Sequence, residues 1–303
     1  MKIGIILNPQ ARSGDPNKYR PLLEAIAERH TVELCWLTGS DAQHTVRNAR
    51  QAVVENSIDA LVAMGGDGMV HLGLQAVAGT EMPLGIIALG SGNDIAREFS
   101  LPIHAPEVAL TQIIDALRNK KIRVIDSMKI ITQHESTYAL AIASFGVDAD
   151  VNYRTNKLRW PKGNLRYVRA LFPALSAYKP YGVRISVNGK TAQGDMLLLC
   201  VANTRYFGGG FNIAPTARVD DGKLNVILLR SVRFWELAQL LPKLLFRRHL
   251  QDKRVHEIIT TKIHVEAASE AGIHPPHVMA DGEYVADLPL TIKVCPKSVH
   301  LIV

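Results

Sequence analysis

A chain of 303 residues with 47% hydrophobic content is long enough for about two domains with buried cores, which excludes a disordered or disulfide-stapled miniature protein. Its three cysteines, Cys35, Cys200 and Cys295, are odd in number and far apart, without CxxC or metal-ligating spacing, and point to a reduced, cytoplasmic setting. A net charge of +7 favours an anionic partner, and no apolar run is long enough to span a bilayer.

Residues 1 to about 124 alternate between strand and helix patterns. Lys2–Leu7 reads as a buried strand running into Asn8-Pro9, too short for a signal peptide. Pro16–Arg29 reads as a helix, Thr31–Leu37 as a strand, and Asp41–Asn56 as a helix with Asp41 at its start. The strand Ala60–Met64 leads into Gly65-Gly66-Asp67-Gly68 and a helix near Met69–Val77. The strand Leu84–Leu89 leads into Gly90-Ser91-Gly92-Asn93-Asp94 and helices over Asp94–Phe99 and Pro106–Arg118. This alternation predicts an α/β domain with a mostly parallel sheet, whose ligands gather at the carboxyl ends of the strands.

From Arg123 the pattern turns to strands: Arg123–Ile131, Thr137–Phe145, Val183–Val187, Asp195–Ala202, Asn225–Leu229, Thr261–Val265 and Leu290–Val294. Turn signals at Asn188-Gly189, Asp221-Gly222 and Asp281-Gly282 separate them. Helical patterns interrupt at Leu165–Tyr178 and Phe234–Leu250, the latter with Pro242 as an expected kink. The predicted division is 1–124, with a tail 297–303 returning to it, and a β-rich domain 125–296. Between Asp150 and Asp195 stand nine Lys or Arg, from Arg154 to Lys190, and no acid. That stretch is read either as a solvated basic face or as a surface facing phosphates or anionic lipid. The segment around Trp235, Phe246, Arg247 and Arg248 is likewise read either as a core or dimer-facing helix or as one that meets lipid.

Two glycine-rich loops, each closing an apolar strand, let amide N–H groups approach an anion. Asp67 and Asp94 would repel a bare phosphate, so a divalent cation or a sugar hydroxyl belongs between them; a nucleoside triphosphate with magnesium satisfies both loops. There is no GxxxxGK[ST] and no strand-linked GxGxxG. The chain instead carries, in order, Asn8-Pro9-Gln10-Ala11-Arg12-Ser13-Gly14, Gly65-Gly66-Asp67-Gly68-Met69-Val70-His71, Gly90-Ser91-Gly92-Asn93-Asp94-Ile95-Ala96-Arg97 and Asp281-Gly282-Glu283. That set resembles the diacylglycerol kinase catalytic family, which includes bacterial soluble lipid kinases and sphingosine kinase and is distantly similar to NAD kinase.

The resemblance implies an N-terminal α/β nucleotide domain, a C-terminal β-sandwich that completes the cleft, and Mg²⁺-dependent transfer of the γ-phosphoryl group of ATP to a lipid hydroxyl. It implies nucleotide contacts from Asn8, Arg12, Ser13, Gly14, Gly65, Gly66, Asp67, Gly68, Ser91, Asn93, Asp94 and Arg97. It assigns Asp67, Asp94 and Asp126 to the metal network, and Asp220-Asp221 to a structural Mg²⁺ loop, for which a plain turn is the alternative. Gly208-Gly209-Gly210 matches a flexible family loop. Phosphoryl transfer needs positioning and charge neutralisation, which Arg12 and Arg97 suit. Asp281 is the expected general base, aimed by the tight turn at Gly282, with Glu283 orienting the site or helping to hold Mg²⁺; a plain hairpin turn is the alternative. The family pattern is broken at Met69 (threonine in many members), His71 (asparagine) and Leu72 (glutamate).

The expected activity is thus lipid phosphorylation, diacylglycerol to phosphatidic acid, at the inner face of an anionic membrane and as a homodimer. A kinase of a sphingoid lipid or of NAD, and a non-catalytic anion-binding protein, are the alternatives. No nucleic-acid motif is present, so no nucleic-acid partner is expected.

Overall fold

A computed structural model describes residues 1–7, 16–146, 180–275 and 277–303. The chain forms two compact units, Met1–Ser127 with Pro296–Val303, and Met128–Cys295.

The first unit alternates strands and helices: β1 (Lys2–Leu7), α1 (Arg20–Arg29), β2 (Glu33–Trp36), α2 (Ala42–Val54), β3 (Ala60–Gly65), α3 (Asp67–Val77), β4 (Pro83–Ala88), α4 (Asp94–Glu98), α5 (Pro106–Arg118) and the start of β5 (Ile122–Ile131). Strands β2-β1-β3-β4 pair in parallel in that order. The last residues of β17 (Leu290–Ile302) join beside β4, also in parallel, through His300 and Leu301. Strands β1, β3 and β4 are buried almost end to end, which requires cover on both faces. Helices α1 and α5 pack together on one face, where Leu23, Ile26, Leu110 and Ile113 join Ile3, Ile5, Val62 and Met64 in one core. Helices α2 and α3 pack against each other. Asp41 caps α2 by accepting the His44 N–H at 2.7 Å, and that hydrogen bond holds its carboxyl below the usual carboxylate range.

The second unit is β-rich. It holds the rest of β5, then β6 (Ser136–Ala139), β7 (Ile142–Gly146), β8 (Tyr181–Val187), β9 (Lys190–Ala202), β10 (Tyr206–Phe207), β11 (Phe211–Asn212), β12 (Leu224–Arg230), α6 (Phe234–Leu245), β13 (Val255–Thr260), β14 (Lys262–Ala267), β15 (Val278–Ala280), β16 (Glu283–Ala286) and the start of β17. Strand β9 serves two antiparallel arrays. Its first half pairs with β8, which pairs with β14 and then β17. Its second half lies between β7 and β12, and the array continues to β15 and β16 on one side and β13 on the other.

The single strand predicted over Thr137–Phe145 is two strands, broken at Leu140-Ala141. The amides of those residues bond a side-chain carboxylate instead of a neighbouring strand. Helix α6 runs through Pro242 and ends at Leu245, short of the predicted Leu250; a 3-10 turn at His249–Gln251 follows. The helical pattern at Leu165–Tyr178 and most of the basic stretch lie outside the described residues.

One ion cluster ties α6 to the chain that follows it. Asp252 is buried and accepts hydrogen bonds from Arg254 Nε and Nη2, each at 2.8 Å, and from Lys243 Nζ at 2.7 Å. The Arg254 guanidinium holds the Asp252 carboxyl far below the usual carboxylate range. Because the folded value is depressed, the stabilisation is present above the unfolded value and is lost as pH falls through the folded one. Asp252→Asn is therefore expected to destabilise the protein by about 3 kcal/mol at neutral pH, with the difference from wild type shrinking below about pH 4. Urea unfolding at both pH values checks this; equal stability at neutral pH would show that the cluster contributes nothing net.

Candidate active site

The two glycine loops of the first unit meet backbone to backbone. A Cβ on Gly90 would lie 2.4 Å from the Gly66 Cα and 2.8 Å from Asn93 Oδ1, so no larger residue fits. The Leu89 N–H also donates to the Gly65 carbonyl at 2.8 Å. Asn93, buried and left-handed at φ 54°, folds its amide back onto Gly90: Oδ1 accepts the Gly90 N–H at 2.8 Å and Nδ2 donates to the Gly90 carbonyl at 2.7 Å.

Asp67 bridges the loops. Its Oδ2 accepts the Asp94 N–H at 3.1 Å and its Oδ1 the Ile95 N–H at 3.0 Å, so this carboxylate caps α4 from 27 residues away. Helix α3, by contrast, starts at Gly66 without a side-chain cap among the described residues, and its Met69 and Val70 N–H groups bond the Gly66 carbonyl. Asp94 is buried, with Arg97 Nε 3.8 Å from its Oδ1, while Arg97 Nη2 donates to the Gly92 carbonyl at 3.2 Å. A Cβ on Gly92 would be 3.2 Å from Asp67 Oδ2 and 3.7 Å from Asp94 Oδ2, which puts the two carboxylates beside this one glycine. Ser91 is exposed at the loop tip. The departure at Met69 has a packing role: its side chain fills the space beside Gly65, where an added Cβ would come within 2.5 Å of it. His71 is buried on α3.

Asp126 is buried in β5 and accepts the Lys297 N–H at 2.8 Å, which anchors the returning C-terminal segment. Asp220 and Asp221 are exposed, and Asp221 accepts the Lys223 N–H at 3.0 Å across the turn at Gly222. Among the described residues no three His, Cys, Asp or Glu side chains converge as a metal site, so Asp67, Asp94 and Asp126 do not form a carboxylate triad. The Asp67–Asp94 pair still suits Mg²⁺, which commonly takes one or two carboxylates and fills its shell with phosphate oxygens and water. Asn8, Arg12, Ser13 and Gly14 lie outside the described residues.

In the second unit, Asp281-Gly282 forms the two-residue turn between β15 and β16, with φ of 51° and 85°. An aspartate in such a turn ordinarily faces water. Here Asp281 is 5% exposed, its Oδ2 accepting the Leu140 N–H at 2.9 Å and its Oδ1 the Ala141 N–H at 2.8 Å. The same dipeptide is held from its carbonyl side by Asn203, whose Nδ2 donates to the Leu140 carbonyl at 2.8 Å and whose N–H donates to that of Ala141 at 2.9 Å. The two amide hydrogen bonds fix the carboxylate's direction. Leu140, Ala141 and Asn203 are parts of this arrangement that the sequence reading missed; the one signal was the unbroken burial-prone run Ala139-Leu140-Ala141, which no half-exposed strand would carry. Glu283 is exposed at the first position of β16. Gly208, Gly209 and Gly210, all at positive φ, join β10 to β11.

Residues 2–130 match the diacylglycerol kinase catalytic domain family, and residues 141–303 match the YegS C-terminal NAD kinase beta sandwich-like domain. A diacylglycerol kinase of Mycobacterium tuberculosis is 33% identical over 99% of this chain and 94% of its own length. One from Bacillus subtilis is 25% identical over 86% of this chain and 82% of its own. A diacylglycerol kinase structure from Bacillus anthracis superposes with a TM-score of 0.74 at 20% identity, covering 99% of this chain and 96% of that one. A yeast NADH kinase shares the fold more distantly, with a TM-score of 0.50 at 12% identity over 99% of this chain and 82% of that one. With loops, fold and whole-length similarity in agreement, the chain belongs to the diacylglycerol kinase catalytic family and is a phosphotransferase with a YegS-type C-terminal domain.

Proposed function

We propose that the protein is an ATP- and Mg²⁺-dependent lipid kinase that converts diacylglycerol to phosphatidic acid. The observation that carries the donor half is the apposition of Gly66 and Gly90, with the Asp67 and Asp94 carboxylates beside Gly92. The acceptor class is supported by the names of the relatives, diacylglycerol kinases and YegS-like lipid kinases. Amides of Gly65–Gly68 and of the segment Asn8–Gly14 hold the phosphates, with Ser91 at the rim. Asp67 and Asp94 hold the metal. When bound, Mg²⁺ neutralises charge on the phosphate oxygens. Arg97 and Arg12 offset charge that develops on the transferring group. Asp281 takes the acceptor hydroxyl's proton as its oxygen bonds to the γ-phosphorus and the bond to the β-phosphate bridging oxygen breaks. Glu283 orients the acceptor. In this reading Asp126 would belong to the same network as Asp67 and Asp94, and the Asp220-Asp221 turn would hold a structural Mg²⁺. The enzyme works as a homodimer on the cytoplasmic face of an anionic membrane; no helix of the described residues is long and apolar enough to cross one.

The test is transfer from γ-labelled ATP with Mg²⁺ to diacylglycerol in mixed micelles, to a sphingoid base and to NAD. Label in phosphatidic acid alone is the expected result. Label in NAD or in a sphingoid phosphate would keep the chemistry and replace the acceptor. Nucleotide binding with no labelled product from any acceptor would overturn the lipid-kinase reading.

A further inference from the structure

Helix α6 is anchored on its inner side and exposed on its outer one. Leu240 is buried, and the helix packs on β11 and on the turn at His249–Gln251. Trp235, Leu245 and Phe246 are 57%, 62% and 76% exposed. Trp235 and Phe246 are separated by three helical turns, so they share one face about 16 Å apart along the axis. Pro242, seven residues after Trp235, lies on the same face and is exposed. A soluble protein gains nothing by holding a tryptophan and a phenylalanine in water at both ends of one ridge.

The charge around this ridge has one sign. Residues 230–254 hold seven Lys or Arg and two acids, Glu236 and Asp252. Both acids are engaged on the protein side. Asp252 is buried beneath Arg254 and Lys243. Glu236 accepts the Arg233 N–H at 2.8 Å and lies 3.7 Å from Arg254. Arg247 and Arg248 are exposed beside Phe246, and the Arg233 guanidinium sits 5.2 Å from the Trp235 ring centroid.

We infer that the Trp235–Phe246 ridge of α6 is the element that seats this protein on an anionic phospholipid surface. Aromatic rings at both ends enter the headgroup boundary while Arg247 and Arg248 meet lipid phosphates, as in amphipathic helices that lie in the interface plane. The inference rests on the reading that the acceptor is a membrane lipid, and it assigns the docking to one helix outside the catalytic loops.

The experiment is co-sedimentation of the full chain with phosphatidylcholine vesicles, with and without phosphatidylglycerol, in the absence of ATP. Turnover of a water-dispersed short-chain diacylglycerol is measured in parallel. Wild type is expected to bind the anionic vesicles and to be released by salt. Arg247→Gln with Arg248→Gln should weaken that binding about 30-fold, and Phe246→Ser roughly tenfold or more. Both variants should keep wild-type turnover of the short-chain acceptor. Undiminished vesicle binding by both variants would overturn the assignment to α6. If wild type binds no vesicle while it phosphorylates the short-chain lipid, the docking inference falls and the kinase reading stands. Vesicle binding without turnover has the opposite meaning. Concentration-dependent dimerisation that Phe246→Ser abolishes, with no vesicle binding, would give the ridge to a second copy and overturn the proposal.

Discussion

Asp281→Asn is expected to lower the rate of phosphoryl transfer about 1000-fold while leaving Mg·ATP affinity nearly unchanged. The substitution suits the left-handed backbone at this position, φ 51°, because asparagine tolerates that conformation. It does not suit the hydrogen bonds. Asp281 accepts N–H groups from both Leu140 and Ala141, and an asparagine has one acceptor oxygen to offer the pair. One buried amide is left facing an NH₂ group, at a cost of about 1–3 kcal/mol in stability. The two effects are separable. Turnover is measured well below the variant's melting temperature, with the folded fraction set by circular dichroism. A fall in melting temperature with normal turnover per folded molecule would leave Asp281 as a clamp on the strand gap and take away its role as base.

The second large effect is expected at Asp67. Asp67→Ala should weaken Mg·ATP binding about 10- to 100-fold and lower stability by about 1 kcal/mol through loss of the α4 cap. In the proposed function the carboxylate does both jobs at once: its oxygens hold the Asp94 and Ile95 amides while its charge stands beside Gly92. Asp67→Asn separates them, because it keeps one acceptor for the helix and removes the charge. Calorimetric titration with a non-hydrolysable ATP analogue, with Mg²⁺ and with EDTA, reads the difference. Wild-type affinity in Asp67→Asn would mean that Asp67 acts through α4 alone.

Much of the first unit was legible because its signals are local. Buried parallel strands read as continuous apolar runs, and helices α2 and α5 lie within the predicted Asp41–Asn56 and Pro106–Arg118, with Asp41 capping α2. The second unit was less so. Strand β15 has three residues and β16 four, too few for a period to show, and β13 follows directly on the basic flank of α6. The same limit governs the site. The glycine loops announce themselves in sequence. That Asp67 caps a helix 27 residues on, or that Asp281 reaches amides 141 residues back, depends on contacts no local pattern encodes. The strand break at Leu140-Ala141 was missed for that reason: its cause lies in a distant hairpin.

That interruption bears on how the lineage of such proteins is read. If Asp281 is the base of the proposed function, a carboxylate that closes a gap in a strand is selected for folding as well as for chemistry. A copy of this gene that had lost its activity would still be held to aspartate at 281, because asparagine orphans one buried amide there and a side chain without an acceptor orphans two. Under the proposed metal role, Asp67 is under the same double selection through its cap on α4. Decay of function in such a lineage would therefore show first at positions the scaffold does not depend on, such as the exposed Ser91 at the loop tip, while both aspartates persist.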